Sequence, residues 1–281
     1  IMPSLVGSEM CIRDSSNAPS APAPQQPLLL ERNGAVATLR FNRPEALNAI
    51  DVPMANAFLT AVQTVASDPG VRAVVLCGSG RGFMAGGDLA TLRADPVQGA
   101  IDILTPLNAA LQLLAQMNAP VIAQVHGAAA GAGLSLVLMA DYVIAAEGTR
   151  FNLAYINLGT TCDVGASWAL PRIVGVRQAL EIALLGEAFT ADDALRLGLV
   201  NRVVPSAELD STTAALAQRL AAGPTLAYGA MKRLMRASMD HTLPEQLAAE
   251  KDAFVHCAGT EDFRAGVEAF HQRQSPQFVG R

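Results

Sequence analysis

Two glycine-rich segments, each directly after a run of aliphatic residues, are the part of this chain best suited to chemistry. The first is CGSGRGFMAGGDL, Cys77 to Leu89, and the second is HGAAAGAGLSL, His126 to Leu136. Small residues let backbone N–H groups approach a ligand closely, and a helix beginning near Ala132 would add the positive end of its dipole. The pattern indicates a site for an anionic oxygen, although such glycines also suit tight turns and close helix packing.

The two segments lack the signatures of other ligand-binding loops. Neither reads GxGxxG and no Lys follows as in a phosphate loop, so a dinucleotide or nucleoside triphosphate site is not supported. Ser135 lies in the second segment but in no GxSxG turn, which argues against a serine hydrolase.

Cysteine and histidine spacing predicts no metal site. The chain has four of each, with no CxxC and no HExxH. Widely spaced thiols are typical of buried small residues in a reducing compartment, so we expect a cytoplasmic protein. His126 precedes the second glycine-rich segment, where a core histidine bonded to backbone is expected. The residues concerned are Cys11, Cys77, Cys162, Cys257, His126, His241, His256 and His271.

Composition predicts a globular protein with a large core. The chain has 281 residues, 51% hydrophobic and 16% charged, and a formal net charge of -5, which disfavours nucleic acid and anionic lipid as partners. No charged residue lies between Asp102 and Asp141, but prolines, glycines and polar residues interrupt this stretch. We interpret it as buried core and expect no membrane partner.

The first 27 residues differ from the rest. Ile1 to Ser16 lacks the charged start and apolar block of a signal peptide and resembles translated linker sequence. Ala18 to Pro27, APSAPAPQQP, is a Pro and Ala tract with nothing to pack. We therefore expect residues 1–27 to be a disordered or cloning-derived lead-in, with folding starting near Leu28.

Aliphatic runs alternate with helical patterns in the middle of the chain. Strands buried on both faces and joined through helices indicate parallel sheet in an α/β fold. After Pro205 only helical patterns remain, with boundaries at Pro224, Pro244 and Thr260-Glu261-Asp262. The predicted strands are 35–41, 71–77, 121–125 and 142–145, and the predicted helices are 54–66, 104–117 and 132–139.

Five segments together resemble the crotonase family, also called enoyl-CoA hydratase/isomerase, from about Leu28 to Phe278. Each is weak alone, but their order and spacing make the resemblance specific. The segments are GAVATLRFNRPEALNAI (34–50), RGFMAGGDL (81–89), HGAAAGAGLSL with Asp141 (126–141), LGTTCDVGASWALPR (158–172) and GEAFTADDALRLGLVNRVV (186–204).

The resemblance implies a spiral of ββα units over residues 28–205 and a helical segment over 206–281 that serves oligomerisation and the CoA pocket. It implies a homotrimer or dimer of trimers and an acyl-CoA thioester substrate, with no separate cofactor because CoA is part of the substrate. It also implies an oxyanion hole of two peptide N–H groups, which fall by motif position on Gly87 and Ala132. Ala85 and Gly86 are assigned to substrate binding.

Acid–base residues separate the reactions known in this family. Family hydratases position water with two glutamates, and the matching positions here hold Ser135 and Tyr155, which we assign to substrate binding. The resemblance places the catalytic acid of several isomerases at Asp163, eight residues after Tyr155. The phrase DVGASWALPR (163–172) is most similar to ring-epoxide isomerases of phenylacetyl-CoA breakdown.

Asp163 also has a structural interpretation. It precedes the helical pattern from Gly165 to Leu170, where Asp is favoured as a helix cap. The family usually has Pro before the acid and two glycines after it, whereas this chain has Cys162 and Val164-Gly165. Tyr155 is expected to orient the carboxylate, shape the acyl pocket or simply pack.

Four further residues have weaker assignments. Asp88 and Asp141 follow the glycine-rich segments, and we expect them to anchor loops. Phe254 and Arg273 match family positions that approach the CoA adenine and phosphates, sometimes across a subunit boundary, although Arg273 also suits a solvated helix surface.

The sequence therefore predicts an enzyme, an acyl-CoA isomerase that shifts a 3-enoyl-CoA double bond to the 2-position, or rearranges a ring, through an enolate. The alternatives are a hydratase or hydrolase of the same fold that positions water with Asp163 alone, and a non-catalytic acyl-CoA binding protein.

Overall fold

A computed structural model describes residues 26–281. The predicted lead-in over residues 1–27 therefore lies outside the described residues except for its last two positions.

The described chain alternates strands and helices up to residue 204 and is helical after it. The strands are β1 (Leu28–Asn33), β2 (Val36–Phe41), β3 (Ala73–Gly78), β4 (Val121–Val125), β5 (Ala128–Ala130), β6 (Tyr142–Ala146), β7 (Arg150–Asn152), β8 (Phe189–Thr190) and β9 (Arg202–Val204). The helices are α1 (Val52–Ser67), α2 (Leu89–Ala94), α3 (Pro96–Gln116), α4 (Ala132–Met139), α5 (Ala166–Val174), α6 (Val176–Leu185), α7 (Ala191–Arg196), α8 (Leu209–Ala221), α9 (Thr225–Ala237), α10 (Leu243–Ala258) and α11 (Glu261–Gln272). One-turn 3-10 helices occupy Pro44–Ala46, Tyr155–Leu158 and Ser206–Glu208.

The larger sheet has six strands in the order β1-β2-β3-β4-β6-β9. Only β1 and β2 pair antiparallel, and the other neighbours are parallel. Every residue of β3 and β4 is buried, as expected where helices cover both faces of a parallel sheet. The predicted α/β architecture with a helical C-terminal segment is confirmed.

A smaller sheet of β5, β7 and β8 includes part of the second glycine-rich segment, which contributes β5. The sequence does not predict β5, because alanine has little strand propensity. Its geometry comes from parallel pairing with β7, which aligns Ala128 with Arg150 and Ala130 with Asn152. This pairing fixes the chain just before α4 begins.

Helices α1 and α3 pack on one face of the larger sheet, where Phe58 and Leu107 join its core. Helix α3 begins at Pro96, eight residues before the predicted start, and Asp95 caps it by accepting a hydrogen bond from the Gln98 N–H at 3.1 Å. Pro106 lies inside the helix with its ring buried. Burial against the core offsets the helix-breaking tendency of this proline.

The uncharged stretch between Asp102 and Asp141 is divided among α3, β4, β5 and α4, most of it buried as predicted. Of the helices in residues 26–281, none combines the length and apolar character that a membrane crossing requires.

The C-terminal helices begin at the predicted boundaries. Helix α9 starts directly after Pro224, and Thr260 caps α11 by accepting a hydrogen bond from the Phe263 N–H at 3.1 Å. Helix α8 packs on the second face of the larger sheet, where Ala217 and Ala221 are buried with Val75 and Ile122.

An ion cluster ties α9 to the core. Asp141 accepts hydrogen bonds from Lys232 and Arg236, each at 2.7 Å, and from the Val121 N–H at 2.9 Å. Burial lowers the pKa of Lys232, and the Asp141 carboxylate opposes this shift. Asp141 therefore holds helix α9 and the start of β4, whereas the expectation was that it anchors a loop.

Candidate active site

A cavity of about 680 Å³ opens between the two glycine-rich segments, the first turns of α2 and α3, and the chain from Ala154 to Asp163. Its size suits a small-molecule ligand. Six residues singled out from the sequence line it: Ala85, Gly86, Gly87, Ala132, Tyr155 and Asp163.

The two glycine-rich segments pack directly against each other. The Met84 N–H donates to the Ala128 carbonyl at 3.0 Å, and the Ala130 N–H donates to the Met84 carbonyl at 2.9 Å. A Cβ on Gly133 would lie 2.4 Å from the Met84 carbonyl oxygen. Glycine is required there by close packing, so the packing interpretation holds for this position.

Gly87 has no such packing requirement. A Cβ there would meet only Leu92 Cδ1 at 3.7 Å, an ordinary contact. Within residues 26–281, neither the Gly87 N–H nor the Ala132 N–H donates to a protein acceptor. Ala132 is also the first residue of α4, where the helix dipole favours negative charge. The cavity wall thus carries two free backbone donors.

Asp88 anchors the first of these donors. Its carboxylate accepts hydrogen bonds from the N–H groups of Ala90 and Thr91 at the start of α2, and Arg43 contacts it at 3.1 Å. Burial acts to raise the pKa of Asp88, but Thr91, Arg43 and Ala90 together hold it below its ordinary value. The predicted anchoring role of Asp88 is confirmed.

Asp163 faces the cavity and its side chain caps no helix. The N-cap of α5 is Gly165, without a side-chain hydrogen bond, so the capping interpretation is wrong. The Asp163 carboxylate instead accepts a hydrogen bond from the Tyr155 hydroxyl. Burial raises the pKa of Asp163, and the Tyr155 hydrogen bond opposes that shift. A carboxyl group with a raised pKa in a cavity is suited to proton transfer.

Ser135 lies behind Tyr155, away from the cavity surface, so it does not reach the cavity as its assignment to substrate binding expected. Its Oγ is 3.0 Å from the Tyr155 Oη, and its side chain is fully buried in α4. Burial and the nearby Asp163 raise the pKa of Tyr155 far above its ordinary value, so this phenol stays protonated and can donate.

Two successive left-handed residues turn the chain directly after Asp163. Val164 has φ 53° and Gly165 has φ 82°. The left-handed region suits glycine and costs a β-branched residue about 1–2 kcal/mol. Val164 is 2% exposed, so its packed side chain holds the turn that a second glycine would adopt freely.

Substitutions at Val164 are expected to reverse the usual order of alanine and glycine. Both Val164→Ala and Val164→Gly lose buried side-chain atoms, but only glycine relieves the left-handed strain. We expect Val164→Gly to be about 1 kcal/mol more stable than Val164→Ala, measured as a higher urea midpoint. An alanine variant at least as stable as the glycine variant would contradict a left-handed backbone at this position.

Helices α2 and α3 supply an apolar wall that the sequence analysis missed. Because α3 was predicted to begin at residue 104, its first two turns were not assigned to a site. The start signal Asp95-Pro96 could have revealed them. Arg93 is the one charged residue of this wall. The apolar wall residues are Leu89, Leu92, Pro96, Ala100, Ile103, Leu104 and Leu107.

Phe254 and Arg273 do not join this cavity in the single chain. Phe254 lies on α10, 66% exposed, with its ring centroid 6.0 Å from that of Phe263. Arg273 follows the last turn of α11 and is exposed. Their assignment to CoA binding stays a prediction.

Two further predictions, a backbone-bonded His126 and the lack of a metal site, concern residues outside the cavity wall. The His126 Nε2 lies 2.9 Å from the Gly80 carbonyl oxygen, so the expected bond to backbone is present. The ring is only partly buried, so the expectation of a core histidine is wrong. In the part of the chain that the structure describes, no three His, Cys, Asp or Glu side chains form a group that could hold a metal ion.

Comparisons with known proteins agree on one family. The family model described as enoyl-CoA hydratase/isomerase matches residues 31–281. The chain is 38% identical over 250 residues to 1,2-epoxyphenylacetyl-CoA isomerase of Escherichia coli, an alignment that covers 88% of this chain and 95% of that protein. It is 36% identical over 255 residues to 2,3-dehydroadipyl-CoA hydratase of the same organism, covering 90% of this chain and 99% of that protein.

Solved structures give the same result for the fold. A crystal structure of an enoyl-CoA hydratase from Mycobacterium smegmatis matches with a TM-score of 0.85 and 36% identity, covering 90% of this chain and 99% of that one.

Proposed function

Since the chain belongs to the enoyl-CoA hydratase/isomerase family, we propose that it is an acyl-CoA isomerase that works through an enolate. It would shift the double bond of a 3-enoyl-CoA thioester to the 2-position, or rearrange a ring-epoxide acyl-CoA. The observation that carries the proposal is Asp163, the one carboxylate among the described residues of the cavity wall.

A double-bond shift needs one group that accepts and returns a proton. The Asp163 carboxylate takes a proton from carbon 2, and the electron pair moves onto the thioester oxygen to form an enolate. Asp163 then gives the proton to carbon 4, and the double bond comes to lie between carbons 2 and 3. No atom is gained or lost, so neither water nor a second carboxylate is required.

The enolate oxygen needs donors fixed in advance. We assign this role to the N–H groups of Gly87 and Ala132, which lack protein acceptors in residues 26–281 and lie on the same cavity wall as Asp163. Each such donor contributes about 3 kcal/mol to transition-state stabilisation. The start of α4 adds its dipole.

Water addition fits this cavity less well. The resemblance implies that family hydratases use two glutamates, and the matching positions hold a serine behind the wall and a phenol bonded to Asp163. Asp163 would then have to orient and activate the water molecule alone.

Oxygen-18 water separates isomerisation from hydration. The purified protein is incubated with 3-enoyl-CoA and 2-enoyl-CoA of several chain lengths, and the products are analysed by mass spectrometry. We expect conversion of 3-enoyl-CoA without oxygen-18, because the proposed route never adds water. Labelled product would identify a hydratase or hydrolase, and a protein that binds acyl-CoA without converting it would be a binding protein.

The acyl part of the substrate is expected to be apolar. The wall of α2 and α3 offers aliphatic side chains from Leu89 to Leu107, which favour a hydrocarbon chain or ring over a charged acyl group.

Self-association is part of the proposal. Large apolar side chains recur at helical spacing on exposed faces of α6, α9 and α10, and contiguous apolar patches of this kind mark contact surfaces. They support a homotrimer or dimer of trimers, in which residues 206–281 with Phe254 and Arg273 would complete the CoA pocket. These side chains are Val176, Leu180, Leu184, Met231, Met235, Leu243, Leu247 and Phe254.

Turnover is expected to need no metal ion or redox cofactor, because the proposed route uses two backbone donors and one carboxylate. Exhaustive dialysis against EDTA should leave the isomerase rate unchanged. A loss of rate that a divalent ion restores would contradict this expectation.

A further inference from the structure

A continuous row of hydrogen-bonding groups runs from the cavity surface into the protein interior. Its members are Asp163, Tyr155, Ser135 and the Gly131 carbonyl. The Tyr155 hydroxyl contacts the Asp163 carboxylate on one side and lies 3.0 Å from Ser135 Oγ on the other. Ser135 Oγ is in turn 3.3 Å from the Gly131 carbonyl oxygen. The row thus leads from the carboxylate into the buried start of α4.

The row can run in two directions, since each hydroxyl has one proton to donate and lone pairs to accept. When Asp163 is ionised, Ser135 donates to Tyr155 and Tyr155 donates to the carboxylate. When Asp163 carries a proton, the carboxyl group donates to Tyr155, Tyr155 donates to Ser135, and Ser135 donates to the Gly131 carbonyl. Reversal requires rotation of the two hydroxyl hydrogens and of the new carboxyl O–H from the substrate towards Tyr155, while every heavy atom keeps a partner in both directions.

The far end of the row is the peptide group whose other end faces the cavity. The Gly131 carbonyl and the Ala132 N–H belong to one peptide unit. The carbonyl already accepts the Ser135 backbone N–H at 3.0 Å, and its second lone pair is available to the Ser135 hydroxyl. A donor on a peptide oxygen polarises the unit and strengthens its N–H as a donor.

We infer that Tyr155 and Ser135 are positioning residues of a reversible hydrogen-bond chain that strengthens the Ala132 N–H when Asp163 takes the substrate proton. The inference rests on the proposed function. As the bond between carbon 2 and hydrogen breaks, an O–H bond forms on Asp163 and the electron pair moves onto the thioester oxygen. The chain then reverses, and the Ala132 N–H is strongest when that oxygen is most negative. The carboxyl O–H then turns back to the substrate and gives its proton to carbon 4, which restores the first direction.

Few other charges act on Asp163. Arg93 is the one other charged side chain that lines the described cavity, α4 carries no charged residue, and the charge on α5 is Arg172 in its last turn. Cys162 precedes Asp163 in the chain. The acidic limb of a pH–rate profile therefore reports chiefly on Asp163, its burial and its bond to Tyr155.

The hydrogen-bond chain is tested by the kinetics of Tyr155→Phe, Ser135→Ala and the double variant. Tyr142→Phe changes a tyrosine outside the cavity and serves as the control. With 3-enoyl-CoA as substrate, Ser135→Ala is expected to lower kcat about tenfold with KM within about twofold, since it removes a hydrogen bond without touching substrate. Tyr155→Phe should lower kcat about thirtyfold. It should also move the acidic limb of kcat/KM to higher pH, because the ionised carboxylate loses a donor. Tyr142→Phe should match the wild type.

The double variant distinguishes one chain from two independent contacts. Independent losses multiply, whereas groups of one chain give a double variant that falls short of the product by about threefold or more. Circular dichroism checks that each variant folds. If Ser135→Ala does not fold, Ser135→Cys replaces it, and its weak S–H donor should give an intermediate kcat.

Three results would contradict the hydrogen-bond chain: wild-type kcat in Ser135→Ala, a kcat loss in the double variant equal to the product of the two single losses, or an unshifted acidic limb of kcat/KM in Tyr155→Phe. If Asp163→Asn is inactive while Ser135→Ala keeps wild-type kcat, the hydrogen-bond chain is rejected and the proposed isomerase function is retained. A wild-type protein that does not isomerise 3-enoyl-CoA overturns both.

Discussion

Asp163→Asn is expected to reduce isomerisation by about a thousandfold or more while acyl-CoA binding persists. Asparagine keeps the size of the side chain and can still accept a hydrogen bond from Tyr155, but it cannot take a proton from carbon 2. The rate is measured with 3-enoyl-CoA, and binding is measured separately by calorimetry with a saturated acyl-CoA.

Stability provides the second readout of this variant. Burial raises the pKa of Asp163 above its ordinary value of 3.8, so the folded state binds this proton more tightly than the unfolded state. Stability is therefore lost as pH rises from about 3.8 through the folded-state pKa. Asp163→Asn carries no such penalty, and at neutral pH it should unfold at a urea concentration no lower than the wild type.

Asp95→Asn is the matched control, because it changes a carboxylate that caps α3 and does not line the cavity. Asparagine caps a helix as well as aspartate does, so activity and stability should stay near wild type. An active Asp163→Asn enzyme would reject Asp163 as the proton carrier.

Gly87→Pro is expected to lower kcat about a hundredfold or more with the fold intact. Proline removes the backbone N–H assigned to the enolate oxygen and places its ring where that hydrogen points. Gly87 does not adopt a positive φ, so the backbone tolerates a side chain there. Steady-state kinetics of the folded variant provide the measurement.

Gly87→Ala separates loss of the donor from crowding by a side chain. Alanine keeps the N–H, and its Cβ would lie 3.7 Å from Leu92 Cδ1, an ordinary contact. We expect its kcat within a few-fold of wild type. A Gly87→Pro enzyme that turns over as fast as Gly87→Ala would show that this N–H does not serve the reaction.

Much of the fold could be predicted because its signals are local. Aliphatic runs such as Val121 to Val125 are long enough to identify buried strands, and the crotonase-type fold expected from five spaced segments is confirmed by the solved relative. The predicted helix 104–117 included Pro106 but began eight residues after the true start of α3 at Pro96. The ring of Pro106 is buried, and tertiary packing overrides the local preference.

Site residues could be predicted where their position in a motif implies a single role. Gly87, Ala132 and Asp163 follow from motif position, and the structure brings all three to one cavity. Contact between Tyr155 and the Asp163 carboxylate was one of three expectations for Tyr155, but the contact of Ser135 with Tyr155 could not be predicted. Both contacts depend on left-handed backbone at Ala154 and Val164, and neither alanine nor valine signals that conformation.

Helix α8 has a consequence for how the protein emerges during synthesis. Its residues Ala217 and Ala221 cover Val75 and Ile122 on the second face of the larger sheet, so that face stays uncovered until residue 221 has left the ribosome. The nascent α/β part therefore passes through a stage with an apolar sheet surface in water, the kind of surface that chaperones bind. Completion of α8 covers Val75 and Ile122 and ends that stage.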